Sequence, residues 1–287
     1  MKKQNKIYDC LIIGAGPAGL SAAIYLKRAN VDVAVLEMGP IGGKTNYISI
    51  VNNYLGLNNS FGPDLAMKFY EHAQANKIEF IADEVTIVTK LKDLFVITSQ
   101  DDEIYYAKSV IIASGAFPRK LGAPGEDRLS GAGVSYCAAC DGAFFKGKDT
   151  AVIGGGNTAF EDALYLSRLC GKVYILNRSQ RFRAANSLVD KAKMTENIII
   201  LTDTQVASFN GENSLESIST KNTATGENNT LNASGAIVAI GVLPQSELFV
   251  QAGIKTDENG FIETDKFMRT SVSGVFAAGD VRNTPLR

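Results

Sequence analysis

The stretch Ile12–Glu37, IIGAGPAGLSAAIYLKRANVDVAVLE, recurs as Val152–Asn177, VIGGGNTAFEDALYLSRLCGKVYILN. Shifted by 140 residues without a gap, nine of 26 positions are identical, among them Gly14/Gly154, Gly16/Gly156, Tyr25/Tyr165 and Leu26/Leu166. Each copy reads the same way. An apolar strand runs into a glycine turn, a helix-period segment follows, and a second apolar strand (Val31–Leu36, Lys172–Leu176) closes the unit. That is a β-α-β unit, and two copies predict two nucleotide-binding domains.

The first turn, Gly14-Ala15-Gly16-Pro17-Ala18-Gly19, leaves a strand and opens a helix. Gly14 permits the tight turn, Gly16 lets a pyrophosphate approach the backbone, and Gly19 lets the helix pack on the sheet. The phosphates belong at the helix N-terminus, where free N–H groups and the helix dipole favour anions. Glu37, at the end of the second strand, can accept hydrogen bonds from ribose hydroxyls. The second turn, Gly154-Gly155-Gly156-Asn157-Thr158-Ala159, has the permitted alanine in third place, and Asn177-Arg178 stands where Glu37 stood. A carboxylate there repels a 2′-phosphate and an arginine pairs with one, so the second copy leans towards NADP. The other reading of Arg178, Arg181 and Arg183 is a solvated charge cluster.

Val110–Pro118, VIIASGAFP, resembles Ile237–Pro244, IVAIGVLP. Both are buried-strand runs ending in Gly-x-x-Pro, placed where the chain should cross between domains. The expected fold is α/β, with two Rossmann-like three-layer domains, the second inserted in the first. Residues 1–116 and 245–287 make one and residues 117–244 the other. Gly211–Asn229, polar and rich in Asn, Ser and Thr, reads as surface hairpin turns.

The chain has 287 residues, 21% charged and 45% hydrophobic, with a net charge of −1. Two domains of ordinary globular composition fit that length. No basic patch announces nucleic acid, and no apolar run approaches the roughly 18 residues of a spanning helix. The lysine-rich start, Met1–Lys6, reads as the lead-in to a first strand rather than a targeting segment.

Four cysteines are present, Cys10, Cys137, Cys140 and Cys170. In a large chain read as cytoplasmic, a Cys-x-x-Cys is more often catalytic than structural. Cys137-Ala138-Ala139-Cys140-Asp141 begins about where a helix can start, a setting that lowers thiol pKa and permits a disulfide. Zinc needs four ligands, and beyond that pair the chain offers two distant cysteines and a single histidine, His72. No metal is expected. Cys10 and Cys170 read as apolar packing residues, and His72 as a surface residue on a helix over 63–76. Asp141 is the acid nearest in sequence to the dithiol.

With GAGPAG at 14–19, Tyr136-Cys137-Ala138-Ala139-Cys140-Asp141-Gly142, GGGNTA at 154–159 and Gly274-Val275-Phe276-Ala277-Ala278-Gly279-Asp280 together, the sequence resembles the bacterial low-molecular-weight thioredoxin reductases over nearly its whole length. The resemblance implies FAD in the first domain, on Gly14, Gly16, Pro17, Ala18, Gly19, Glu37, Gly42, Gly43, Asn53, Val85, Ala113, Ser114, Gly115, Gly279 and Asp280. It implies NADPH in the second, on Gly154, Gly156, Asn157, Thr158, Ala159, Arg178 and Arg183. Electrons would pass from NADPH through FAD and the Cys137–Cys140 disulfide to thioredoxin. Cys140 would face the flavin, Cys137 would attack thioredoxin, and Asp141 would act as acid/base. A cytoplasmic homodimer is implied as well.

Three departures stand out. The family's His-Arg-Arg-x-x-x-Arg is Asn177-Arg178-Ser179-Gln180-Arg181-Phe182-Arg183 here, with one arginine of the phosphate clamp turned to serine. Gly-Gly-Gln is Gly42-Gly43-Lys44, and Glu-Asn-x-Pro-Gly is Asn52-Asn53-Tyr54-Leu55-Gly56. The family also continues beyond the position of Arg287 with a helix that caps the isoalloxazine, so a longer natural chain is expected. Two rivals remain at this stage. One is the same dithiol flavoenzyme fed by NADH or reduced ferredoxin, against which GGGNTA and two arginines argue. The other is a non-catalytic flavin or nucleotide sensor, against which the intact cysteine pair argues.

Overall fold

The computed structural model describes residues 6–48, 51, 54–57 and 59–284. The chain divides into two compact units, Met1–Phe117 with Leu243–Arg287, and Pro118–Val242.

The first unit opens with β1 (Ile7–Ile13), α1 (Pro17–Arg28) and β2 (Val33–Glu37). Leu11, Ile12, Val33, Ala34, Val35 and Leu36 are all buried. Such unbroken burial is what a parallel strand covered on both faces requires. Proline at the first helical position sets the start of α1, and Lys27 and Arg28 complement the dipole in its last turn. Next come α2 (Gly62–Ala75) and β3 (Glu79–Ala82). They are followed by β4 (Val85–Leu91), β5 (Leu94–Ser99), β6 (Ile104–Ile112) and β7 (Ala116–Pro118).

The second unit holds β8 (Val134–Ser135), α3 (Ala138–Asp141), β9 (Thr150–Ile153) and α4 (Asn157–Leu166). It continues with β10 (Val173–Leu176), α5 (Asn186–Lys193) and β11 (Ile198–Leu201). An antiparallel set follows, β12 (Thr204–Asn210), β13 (Ser217–Asn222) and β14 (Asn228–Asn232). The unit ends on β15 (Gly235–Val238), and β16 (Val242–Pro244) pairs with β7 as a two-stranded ribbon where the chain crosses. α6 (Glu247–Gln251) and β17 (Val275–Ala277) return to the first unit.

In the first unit the sheet order is β3-β2-β1-β6-β5-β4. The long β6 pairs parallel with β1 along one edge and is shared by two partners along the other. Its first half pairs antiparallel with β5, and Val110–Ile112 pair parallel with β17. Leu20 and Ala23 of α1 pack with Ala73 of α2 against one face, while Phe95, Ile97, Phe249 and Ile262 fill the other. In the second unit a parallel sheet runs β11-β10-β9-β15-β8. Phe160, Ala163 and Val189 cover one face, and Val206, Phe209 and Ile218 of the antiparallel sheet cover the other. Three layers result, helices, parallel sheet and antiparallel sheet.

The polar stretch 211–229 holds the hairpin turns its sequence suggests, at 211–216 and 223–227, with a strand between them that the reading missed. Its middle is strand β13, the centre of the antiparallel sheet, with Ile218 fully buried. One buried face among so many polar residues leaves little alternation to see.

Candidate functional site in each nucleotide unit

In the first unit a Cβ on Gly14 would lie 2.4 Å from the carbonyl oxygen of Ala113, and one on Gly19 would lie 2.0 Å from that of Gly14. Nothing lies within 4 Å of the corresponding point at Gly16. The turn is thus closed on its two flanks and open at its centre, which leaves room for a phosphate group against the backbone. No side chain caps the N-terminus of α1, so its first N–H groups remain available to an anion.

The segment 42–47 lies against that turn. Gly42 N–H donates to Ala15 O at 2.8 Å, and a Cβ on Gly43 would meet Gly16 Cα at 3.1 Å. From the far end of the chain, Gly279 follows β17 with φ +76°, and a Cβ there would crowd Ala18 Cβ at 2.8 Å. Asp280 comes next and is ion-paired with Lys44. This pair joins residues more than 230 positions apart in the chain, and Lys44 stands where the resembled family has glutamine.

Glu37 accepts from Ala15 N–H at 2.6 Å and from Gly39 N–H at 2.8 Å, so its carboxylate braces the glycine turn. Ala113, Ser114 and Gly115 follow β6, with Ser114 Oγ donating to Gln245 O at 2.5 Å. Val85 opens β4 and packs against the core. Asn53 lies outside the described residues.

The second unit repeats the design. A Cβ on Gly154 would meet Ala239 O at 2.4 Å, Gly156 faces open space, and α4 also starts without a side-chain cap. Asn157 Oδ1 accepts from Ala185 N–H at 2.8 Å, and Arg183 N–H donates to Gly155 O at 2.8 Å. The arginine loop is therefore laced to the glycine turn. Thr158 follows in the first turn of α4, and Ala159 is fully buried there. Asn177 is buried and donates to Ser179 O and Arg181 O. Arg178, Arg181 and Arg183 are exposed, and none forms an ion pair among the described residues. Both turns fit a dinucleotide, since each has an open centre, close-packed flanks and uncapped helical N–H groups.

Cys137 and Cys140 are joined by a disulfide, with Cα atoms 5.3 Å apart. Cys137 is the N-cap of α3, and its sulfur accepts the Cys140 N–H at 3.1 Å. A thiolate accepts such a bond more strongly than a neutral sulfur does. Gly142 lets α3 sit close to α4, where a Cβ would meet Leu166 at 2.9 Å. Asp141 N–H donates to Cys137 O, and its Oδ2 accepts from Ser135 Oγ at 2.5 Å.

Tyr136, next to Cys137, donates to the buried Glu126 at 2.9 Å. Burial, then the Glu126 bond, pushes the Tyr136 phenol well above its ordinary value. Glu126 also accepts from Leu121 and Gly122 N–H and so anchors the strand leading into the cysteines. Neither Ser135 nor Glu126 carried a sequence signal. Cys10 and Cys170 are buried free thiols, both pushed up by desolvation, which makes them poor nucleophiles. His72 is exposed.

Residues 8–287 match the Pyridine nucleotide-disulphide oxidoreductase family. The chain belongs to that family. A thioredoxin reductase of Bacillus subtilis is 42% identical over 285 residues, covering 99% of this chain and 90% of the relative. The crystal structure of thioredoxin reductase from Streptococcus pyogenes superimposes with a TM-score of 0.91 at 40% identity, covering 99% of this chain and 92% of the other. That of Giardia duodenalis gives 0.89 at 34% identity, covering 98% and 93%. Family membership implies a flavin and a pyridine nucleotide. No helix among the described residues is long and apolar enough to cross a membrane.

Proposed function

We propose that this chain is a thioredoxin reductase that carries electrons from NADPH through FAD and the Cys137–Cys140 disulfide to a thioredoxin disulfide. The observation that carries the reading is the disulfide itself, at the start of α3 in the unit that holds the second glycine turn. FAD is assigned to the first unit because Glu37, an acceptor for ribose hydroxyls, closes its β-α-β unit. The open face of Gly16 takes the pyrophosphate, and the Lys44–Asp280 pair lies beside it. NADPH is assigned to the second unit because Asn177 brings no charge and Arg178 and Arg183 offer exposed cations to a 2′-phosphate. When bound, the flavin supplies the two-electron relay between nucleotide and disulfide. Cys137 is assigned the attack on the partner disulfide, since its sulfur already accepts a backbone N–H. Asp141 is assigned the proton.

Stopped-flow reduction of the bound flavin by NADPH, NADH and reduced ferredoxin in parallel tests the donor. The expected order is NADPH fastest, and flavin reduced by ferredoxin alone overturns it. Cys137→Ser and Cys140→Ser should each abolish thioredoxin reduction and leave flavin reduction by NADPH intact. Turnover of thioredoxin by either variant at the unmodified rate would remove the pair from the path.

A further inference from the structure

Ser135 ends β8, a strand held in the parallel sheet by β15 through Ile237. It is 5% exposed. Its hydroxyl has one proton to give and lone pairs to receive. It receives the N–H of Cys137 at 3.1 Å, and its oxygen lies 2.5 Å from Asp141 Oδ2 and 3.4 Å from Cys137 O. The single proton goes to the nearer partner, Asp141 Oδ2. Ser135 therefore joins the backbone of the first cysteine to the acid that follows the second. The other carboxyl oxygen, Asp141 Oδ1, is buried and has no hydrogen-bond partner among the described residues. A buried polar atom left without a partner costs stability and calls for an explanation.

We propose that Ser135 is a positioning residue that locks Asp141 through Oδ2 and so reserves Oδ1 as the one site of proton exchange with the redox-active sulfurs. The proposal rests on the disulfide-reductase reading and deepens it. Two-electron reduction of the disulfide would break the S–S bond and leave both cysteine sulfurs as thiolates. One of them takes the proton from Asp141 Oδ1, which leaves a thiol, the other cysteine as thiolate, and a carboxylate whose charge the Ser135 O–H stabilises on Oδ2. In the next half-reaction Oδ1 takes the proton back from the attacking cysteine, whose thiolate forms a mixed disulfide with the partner and releases the partner's other sulfur as a thiolate. The second cysteine thiolate then attacks the mixed disulfide, which restores the Cys137–Cys140 bond and frees the partner's remaining sulfur as a thiolate. Without Ser135 the carboxyl can rotate, and Oδ1 loses the fixed place that the bond to Oδ2 gives it.

The test is a double-mutant cycle in the FAD-loaded full chain, reading separately the rate of flavin reduction by NADPH and the rate of electron passage from flavin to disulfide. Ser135→Ala should leave the first unchanged and slow the second by about tenfold to a hundredfold, the value of a hydrogen bond to a charged group. Asp141→Asn should slow the second step more, and Ser135→Ala in that background should add nothing. Ser135→Thr, which keeps the hydroxyl, should restore the rate. Multiplying effects of Ser135→Ala and Asp141→Asn, or a Ser135→Ala chain at the unmodified rate, overturns the proposal.

Should Ser135→Ala lose its fold, Ser135→Thr and Ser135→Cys carry the same comparison. A fast threonine and a slow cysteine variant support the proposal, and equal rates overturn it. An unmodified enzyme that passes no electrons to its disulfide refutes the reductase reading itself, a result distinct from any of these.

Discussion

At the end of its second strand the first unit carries Glu37 and the second carries Asn177, and the two side chains work in opposite senses. Glu37 accepts, bracing the turn through Ala15 N–H and reaching Gly39 N–H. Asn177 donates, tying the carbonyls of Ser179 and Arg181 and so folding the arginine loop back on the strand. Its Oδ1 occupies the space where a Cβ on Gly155 would stand, 2.3 Å away. The third fingerprint position differs too. Gly19 cannot carry a Cβ, whereas Ala159 does, and the turns differ in φ, +107° at Gly14 against +148° at Gly154. The shared fingerprint gives both turns the same open centre, at Gly16 and Gly156. The residues one step outside it set the turns apart chemically, one braced by a carboxylate and the other by an amide.

The largest expected effect is at the third position. Gly19→Ala forces a methyl into the Gly14 carbonyl and should cost about 3 kcal/mol, with FAD lost on gel filtration. An unchanged melting temperature and flavin content would show that the first turn can relax as the second does.

The helices offer the next contrast. Asp162 of α4 stands where α1 has Ala22. Burial, then the neighbouring Glu161, raises its carboxyl from 3.8 to about 7. The folded chain therefore keeps a proton there that the unfolded chain sheds near pH 4. Between these values the folded state binds more protons, so stability falls as pH rises from about 4 to about 7. Asp162→Asn should remove that slope and gain about 2 kcal/mol above pH 7, after allowing for solvent relaxation around a partly accessible group. Urea melts at pH 5 and pH 8 check this, and equal destabilisation at both would count against it.

Arg178→Ala comes third. One charge-assisted contact is worth about 1.5–3 kcal/mol, so the KM for NADPH should rise roughly tenfold or more with NADH little changed. A matching loss for both nucleotides would place Arg178 outside the phosphate site. Ala159→Gly is expected to be the smallest change, about 1 kcal/mol from helix propensity and a lost buried methyl. Thermal melts suffice to measure it, and a cost as large as that of Gly19→Ala would erase the distinction between the turns.

Local pattern made much of this legible. The repeat, both glycine turns and the cysteine pair are short-range signals, and β1, α1, β9 and α4 start where those signals place them. What escaped depends on irregular backbone or on distance. Ser135 and Asp141 meet because a strand end, an N-cap and a single helical turn follow one another, a sequence with no period to read. Glu126 reaches Tyr136 across a loop. Lys44 and Asp280 meet only because β17 docks on β6, which no spacing rule announces. Strand β13 was hidden because its outward face is as polar as a turn.

That docking of β17 has a consequence for synthesis on the ribosome. The second unit is a continuous segment and has all its strands once residue 242 has emerged. The cradle around Gly16 has Gly14–Gly19 and Gly43 early but waits for Gly279 and Asp280. Domains fold as units during translation, N-terminal parts first. In this chain the inserted unit can complete itself while the earlier-made unit still lacks its last strand. Nascent chains arrested once residue 242 is clear of the exit tunnel should yield a protease-resistant second unit and retain no flavin. Retention by such chains would mean that the early residues alone suffice.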